Sequence, residues 1–178
     1  MHQAVSRRRF LKQTAFGAFA LSAGRVVPTF ARSYRLPGRV EEQLQFFSPK
    51  EYLIIKAIAD RIVGRPNGPG PLAEQIGVAE RADKFLAGAD PEIQGQFHQL
   101  LTVFNAPLFA FLFDFRFSSF LSMNAEDQAS YLDDWMTSPF SFRRTAFQAL
   151  KRTTLSMFYT DQGSWNEIGY TGMDVPAN

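Results

Sequence analysis

From Ser48 onwards the apolar residues of this chain recur at three- and four-residue intervals, the period of an amphipathic helix. Ser48-Pro49-Lys50-Glu51 has the form of a capping box with proline at the first helical position, and Phe47 and Tyr52 are placed to form a hydrophobic staple across it. Leu53, Ile54, Ile55, Ile58, Ala59 and Ile62 then make a broad apolar face. The pattern stops by Gly64, and the prolines at 66, 69 and 71 predict a stiff loop over Arg65–Pro71. A second helix is predicted over Val78–Leu86, stopping near Gly88. Asp90-Pro91 supplies a fresh N-cap and first-turn proline for a third, whose Ile93, Phe97, Leu100, Leu101 and Phe104 share a face. His98 lies next to that face and reads as a partly buried, hydrogen-bonding histidine.

Pro107 to Leu121 is the densest apolar stretch. Phenylalanines at 109, 111, 113, 115 and 117 have a period of two, which taken literally is a strand. Phe109, Phe113, Phe117 and Phe120 also form one helical stripe, and no second strand candidate lies nearby, so the stretch is predicted to be helical to Leu121. A helix apolar nearly all round must be covered, by its own core or by another chain. Asn124 with Asp127 caps the next helix, with Tyr131, Leu132 and Trp135 facing inward. Ser138-Pro139 is predicted to open the longest element, running to about Tyr159. Arg143, Arg144, Lys151 and Arg152 form its charged side, read as a solvated face with docking to an acidic partner as the alternative. The tail Gly163–Gly172 reads as a short helical turn stopped by Gly169, rich in aromatics and suited to docking. The expected fold is all-α, a single-domain bundle of about five helices.

Ahead of this body, residues 32–46 read as an extended linker with Pro37-Gly38 and scattered charges, and residues 1–31 as a leader. Ser6-Arg7-Arg8-Arg9-Phe10-Leu11-Lys12 has the form of a twin-arginine export signal, followed by a short apolar segment from Thr14 to Ala23. That segment falls well short of the roughly 20 residues of a membrane span. Ala18-Phe19-Ala20 and Thr29-Phe30-Ala31 are the candidate cleavage sites, with residue 32 as the working start. Retention of the leader as an anchor is the alternative.

The leader also carries the charge. Of 19 basic and 17 acidic residues, five bases and no acid fall in residues 1–31, leaving 14 against 17 and a net charge of −3 for the body. Nucleic-acid binding thereby loses its main support. Cysteine is absent, which excludes disulfides, Cys-ligated iron–sulfur clusters and thioether-linked haem. Histidine occurs at His2 and His98, and no phosphate-cradling glycine loop is present. Twin-arginine export carries folded cargo. A chain with that signal and with so few cofactor ligands suggests that a folded partner travels with it.

The order of these features resembles the gluconate 2-dehydrogenase subunit 3 family. The residues concerned are the twin-arginine leader, the Phe47-Ser48-x-x-Glu51 helix start running into Ala57-Ile58-Ala59-Asp60-Arg61-Ile62-Val63, and the Gly/Pro loop. Phe120 to Trp135, Ser138-Pro139, Arg143-Arg144, Phe158-Tyr159, Trp165 and Gly169-Tyr170-x-Gly172 complete the pattern. The resemblance implies a non-catalytic small subunit that holds no cofactor itself. Its partner is expected to be an FAD-containing large subunit of the glucose–methanol–choline type, with a c-type cytochrome as a further partner and a periplasmic location. The usual Ile-Pro after Asp-Arg is Ile62-Val63 here, leaving a glucoside or other sugar dehydrogenase as open as a gluconate enzyme.

On that reading the partner interface is expected at Phe109, Phe113, Phe117, Phe120, Arg143, Arg144, Trp165 and Tyr170. Two alternatives stay open. One is an independent cofactor-free enzyme using carboxylates among Asp60, Asp114, Asp133 and Asp134. The other is a small-ligand module with a phenylalanine-lined pocket.

Overall fold

Helix ends decide how this chain divides. In the computed structural model, which describes residues 36, 38–64, 73–168 and 170, three helix starts are closed by side-chain caps. The helices are α1 (Gly38–Glu41), α2 (Pro49–Ile62), α3 (Ala73–Ile76), α4 (Val78–Ala87), α5 (Pro91–Phe104), α6 (Pro107–Asp114), α7 (Ala125–Met136) and α8 (Ser141–Tyr159). Single 3-10 segments cover Phe120–Ser122 and Gln162–Ile168. The fold is all-α, with no strand among the described residues, and five of its helices have ten residues or more.

Ser48 and Glu51 form the full capping box at α2, the Ser48 hydroxyl accepting from the Glu51 N–H and the Glu51 carboxylate from the Ser48 N–H. Asp90 and Asn124 cap α5 and α7 with their side-chain oxygens, accepting from the Glu92 and Asp127 N–H groups. The α2 helix stops at Val63 because Gly64 follows it. A Cβ there would stand 1.9 Å from the Asp60 carbonyl oxygen, so the chain can turn away only at glycine. Gly77, at φ +69°, makes the corner between α3 and α4. The stiff loop predicted for Arg65–Pro71 lies outside the described residues, as do the leader and its candidate cleavage sites.

The longest helix, α8, packs against α2, α4 and α7, and α2 sits among α4, α7 and α8. The centre is aromatic. The Phe104 ring lies 4.8 Å from Phe120, 5.3 Å from Tyr131 and 4.9 Å from Trp135, centroid to centroid. Tyr131 donates its hydroxyl to the Phe104 carbonyl at 3.0 Å. Burial pushes the Tyr131 hydroxyl from its ordinary 10 up to about 12. The unfolded chain therefore ionises first. The stability this group contributes is complete below about pH 10 and lost as pH rises towards 12, on the order of 2 to 3 kcal/mol in all. Melting temperatures measured from pH 9 to 12 (roughly) should fall steeply for the native chain and less for Tyr131→Phe. Equal slopes would contradict this account.

Three sequence expectations change. Leu36 and residues 38–46, read as part of an extended linker, lie with Phe47 as a strap on the core: α1 forms, Leu36 and Phe47 are buried, and Val40, Leu44 and Phe46 pack against the core. The buried Asp83 carboxylate of α4 holds that strap, accepting from the backbone N–H groups of Gln45, Phe46 and Phe47 at 2.7, 3.0 and 2.7 Å. His98 stacks on Phe46 at 4.2 Å and places Nδ1 2.7 Å from Glu51 Oε1, the hydrogen-bonded role expected of it. Second, the helix predicted over 107–121 ends at Asp114. Third, α8 begins at Ser141, because Ser138 and Phe140 form a turn in which the Ser138 hydroxyl accepts the Phe140 N–H. The described residues all belong to one compact unit, Tyr34–Asn178.

Candidate functional site

Pro107 starts α6 directly after α5, and only one face of this eight-residue helix can reach the core. Phe109 and Ala110 take that face and are buried, whereas Leu108 and Leu112 remain more than half exposed. Asp114 points inward and meets Arg143 of α8 in a two-pronged ion pair, Nη1 to Oδ1 at 2.9 Å and Nη2 to Oδ2 at 2.8 Å. Both side chains are almost completely buried, at 4% and 6% exposure. The guanidinium also lies 5.0 Å from the Trp135 ring centre and 5.4 Å from that of Phe113.

At Phe115 the chain leaves the helix in the left-handed region, φ +53° and ψ +28°, a conformation glycine adopts freely and phenylalanine does not. The Arg116 N–H then reaches back to the Ala110 carbonyl at 3.2 Å. Arg116 turns its side chain to α7, donating to Ser130 at 2.8 Å and Asp134 at 3.2 Å with Asp127 3.5 Å away. The turn throws Phe115 and Phe117 outward, 80% and 82% exposed. Their rings lie against that of Phe111, whose centre is 6.3 Å and 4.4 Å from theirs. The loop before α8 extends the face, with exposed Phe140 set 5.1 Å from Phe113. Strain of this kind costs on the order of 1–3 kcal/mol and collects at functional sites. Contiguous exposed aromatics mark interaction surfaces.

The expected interface residues divide accordingly. Phe109, Phe120 and Arg143 are buried within the chain itself at 7%, 0% and 3% exposure, so they lie in its interior and offer no surface for contact. For Arg143 this also corrects its place on a solvated charged side. Phe113 is half-buried and Phe117 exposed. Arg144 is exposed and donates to the Ser138 carbonyl. Trp165 is half-buried, its Nε1–H bonded to the Tyr159 carbonyl at 3.0 Å, and exposed Tyr170 meets it edge to face at 5.0 Å. Leu108, Leu112, Phe115 and Phe140 were not among the expected interface residues. The period-two run of phenylalanines was the signal for Phe115, since a helix cannot place 111, 115 and 117 as this turn does.

The four carboxylates considered for catalysis are dispersed. Asp114 is locked by Arg143, Asp134 is held by Arg116, and Asp133 is exposed. Asp60 lines a small cleft with Tyr52, Lys56, Ala73, Glu74 and Glu80, where about 10 Å³ leaves room for one water. Burial holds the Asp60 carboxyl above its ordinary range, and burial together with a hydrogen bond to Glu80 raises the Tyr52 hydroxyl. Among the described residues no three His, Cys, Asp or Glu side chains gather as a metal site, and no helix is long and apolar enough to cross a membrane.

No curated protein and no solved structure matches the chain. The family model described as gluconate 2-dehydrogenase subunit 3, named for a subunit of an oxidoreductase complex, matches residues 49–172 and so takes in α2 to α8, the aromatic face and Trp165. The resemblance seen in the sequence is thereby established, and the chain belongs to the gluconate 2-dehydrogenase subunit 3 family.

Proposed function

We propose that this chain is the non-catalytic small subunit of a periplasmic, FAD-dependent sugar or polyol dehydrogenase. It docks on a large subunit of the glucose–methanol–choline type, carries it folded through the twin-arginine translocon on the signal Ser6–Lys12, and stays bound afterwards. The flavin belongs to the partner, and a c-type cytochrome subunit receives the electrons. One observation carries this reading beyond family membership. The body displays an outward-facing apolar surface, Leu108, Leu112, Phe115, Phe117 and Phe140, that its own core does not cover, with a strained backbone at Phe115. Stable partner interfaces bury on the order of 1,600 Å² and are anchored by a few such side chains.

Co-expression with a flavoprotein large subunit of the glucose–methanol–choline type tests the proposal. Dehydrogenase activity and bound flavin are expected in the periplasm with the native chain, and in the cytoplasm alone when Arg7 and Arg8 are both lysine. If the flavoprotein reaches the periplasm active without this chain, the escort role is wrong. Sugar oxidation by the isolated chain would replace it with the independent-enzyme reading.

A further inference from the structure

We infer that the aromatic face centred on Phe115 and Phe117 is a preformed docking surface with no free charge at its centre, with Arg143 as its positioning residue, and that it fits an uncharged apolar groove on the catalytic subunit. This rests on the small-subunit reading above and goes beyond it by naming the chemistry of the receiving surface.

Only two charged residues lie between Pro107 and Ser122, and none lies between Met136 and Phe142. Both are consumed inside the chain. Asp114 is sealed under the face by Arg143 at 2.8–2.9 Å, and Arg116 is turned away to Ser130, Asp134 and Asp127 on α7. The large side chains left outside are the carbon side chains of Leu108, Leu112, Phe115, Phe117 and Phe140, with exposed Arg144 held to the Ser138 carbonyl at the edge beside Phe140. A partner presenting a charge to it would bury that charge with no counter-ion, which costs more than the contact returns. Complementarity therefore selects a neutral, apolar groove.

The same ion pair sets the geometry. A two-pronged guanidinium–carboxylate contact fixes both distance and angle between α6 and α8, and Trp135 beneath the guanidinium limits where it can sit. Lysine would keep the charge and lose the fork. Phe115 supplies an independent probe, because its side chain is 80% exposed and its backbone is strained. Phe115→Gly relieves that strain while removing an anchor.

The test uses the complex with the co-expressed flavoprotein, reading its dissociation constant together with hydrogen exchange of the Phe109–Asp114 amides in the free chain. The constant is expected to change less than about threefold between roughly 0.05 and 0.5 M NaCl. Phe117→Asp and Phe117→Lys should each weaken binding roughly 30-fold or more, whatever the sign. Phe115→Gly should weaken it with an unchanged or higher melting temperature. Arg143→Lys should stay helical, speed exchange over α6 and weaken binding about tenfold. Steep salt dependence, or tolerance of one charge at 117 and not the other, would show a charged partner surface and overturn the inference while leaving the docking face standing. Native exchange and affinity in Arg143→Lys would overturn its positioning role. Native affinity in the Phe115 and Phe117 variants would place the interface elsewhere. If the native chain forms no complex, the small-subunit reading itself fails.

Discussion

Replacing Asp83 by alanine is expected to lower the unfolding free energy by about 4 kcal/mol and the melting temperature by on the order of 10 °C. The reason is the geometry of one carboxylate. Asp83 is 1% exposed, and its two oxygens accept three backbone N–H groups, from Gln45 at 2.7 Å, Phe46 at 3.0 Å and Phe47 at 2.7 Å. Hydrogen bonds to an ionised acceptor each contribute roughly 1.5–3 kcal/mol, with less than full additivity for three on one group. Without the carboxylate those N–H groups lose their acceptor beside Phe47, which is 4% exposed and belongs to the core. The strap from Leu36 to Phe47 should then come loose ahead of the rest. Asp83→Asn keeps one acceptor oxygen and should lose roughly half as much. Denaturant unfolding and hydrogen exchange at residues 45–47 measure both effects. A loss below about 1 kcal/mol in the alanine variant would mean the strap is held by its apolar contacts alone.

Phe104→Ala should be comparably severe, roughly 3–5 kcal/mol. Its ring is fully buried, at 0% exposure, and touches Phe120, Tyr131 and Trp135 with centroids within 5.3 Å. Three elements meet on that ring: the end of α5, the 3-10 turn at Phe120 and α7. Alanine would leave a cavity between rings that cannot collapse onto one another, since Tyr131 is also tied to the residue-104 carbonyl at 3.0 Å. Leucine fills much of the space and should cost roughly 1–2 kcal/mol. The consequence reaches the surface. Trp135, on the far side of this cluster, lies 5.0 Å from the Arg143 guanidinium that anchors α6. Urea unfolding should show the loss with an unchanged slope. Exchange over α6 should quicken more in Phe104→Ala than in a variant of equal cost placed at Phe158, whose cluster with Ala59, Ala73 and Val78 is separate.

What was legible and what was not separates along one physical line. The starts of α2, α5 and α7 could be read directly, because each depends on a side chain bonding a backbone group two or three residues ahead: Ser48 and Glu51, Asp90 to Glu92, Asn124 to Asp127. The inward faces of α2 and α7 were equally plain, since helical period and burial coincide at Ile54, Ile55, Ile58, Tyr131, Leu132 and Trp135. The α6 helix was not readable in this way. Its sequence offers no glycine or capping residue at 115, so the helical stripe Phe109–Phe113–Phe117–Phe120 looked continuous, whereas the chain leaves the helix at Phe115 and returns Phe120 to the core.

The sequence alone thus determined the all-α class, the positions of the long helices, the family and the absence of cysteine chemistry, all of which depend on residue type and short-range spacing. Tertiary structure decided which of the apolar and charged residues face outward. Asp114 and Arg143 are 29 residues apart, and Asp83 lies 38 residues beyond Gln45, so no local pattern marks either pairing. Arg143 and Arg144 are neighbours of the same type in the sequence, yet one is buried beneath the aromatic face and the other is exposed. That difference comes from which partner atoms the fold brings within 3 Å, and with it which side chains form the exposed aromatic face.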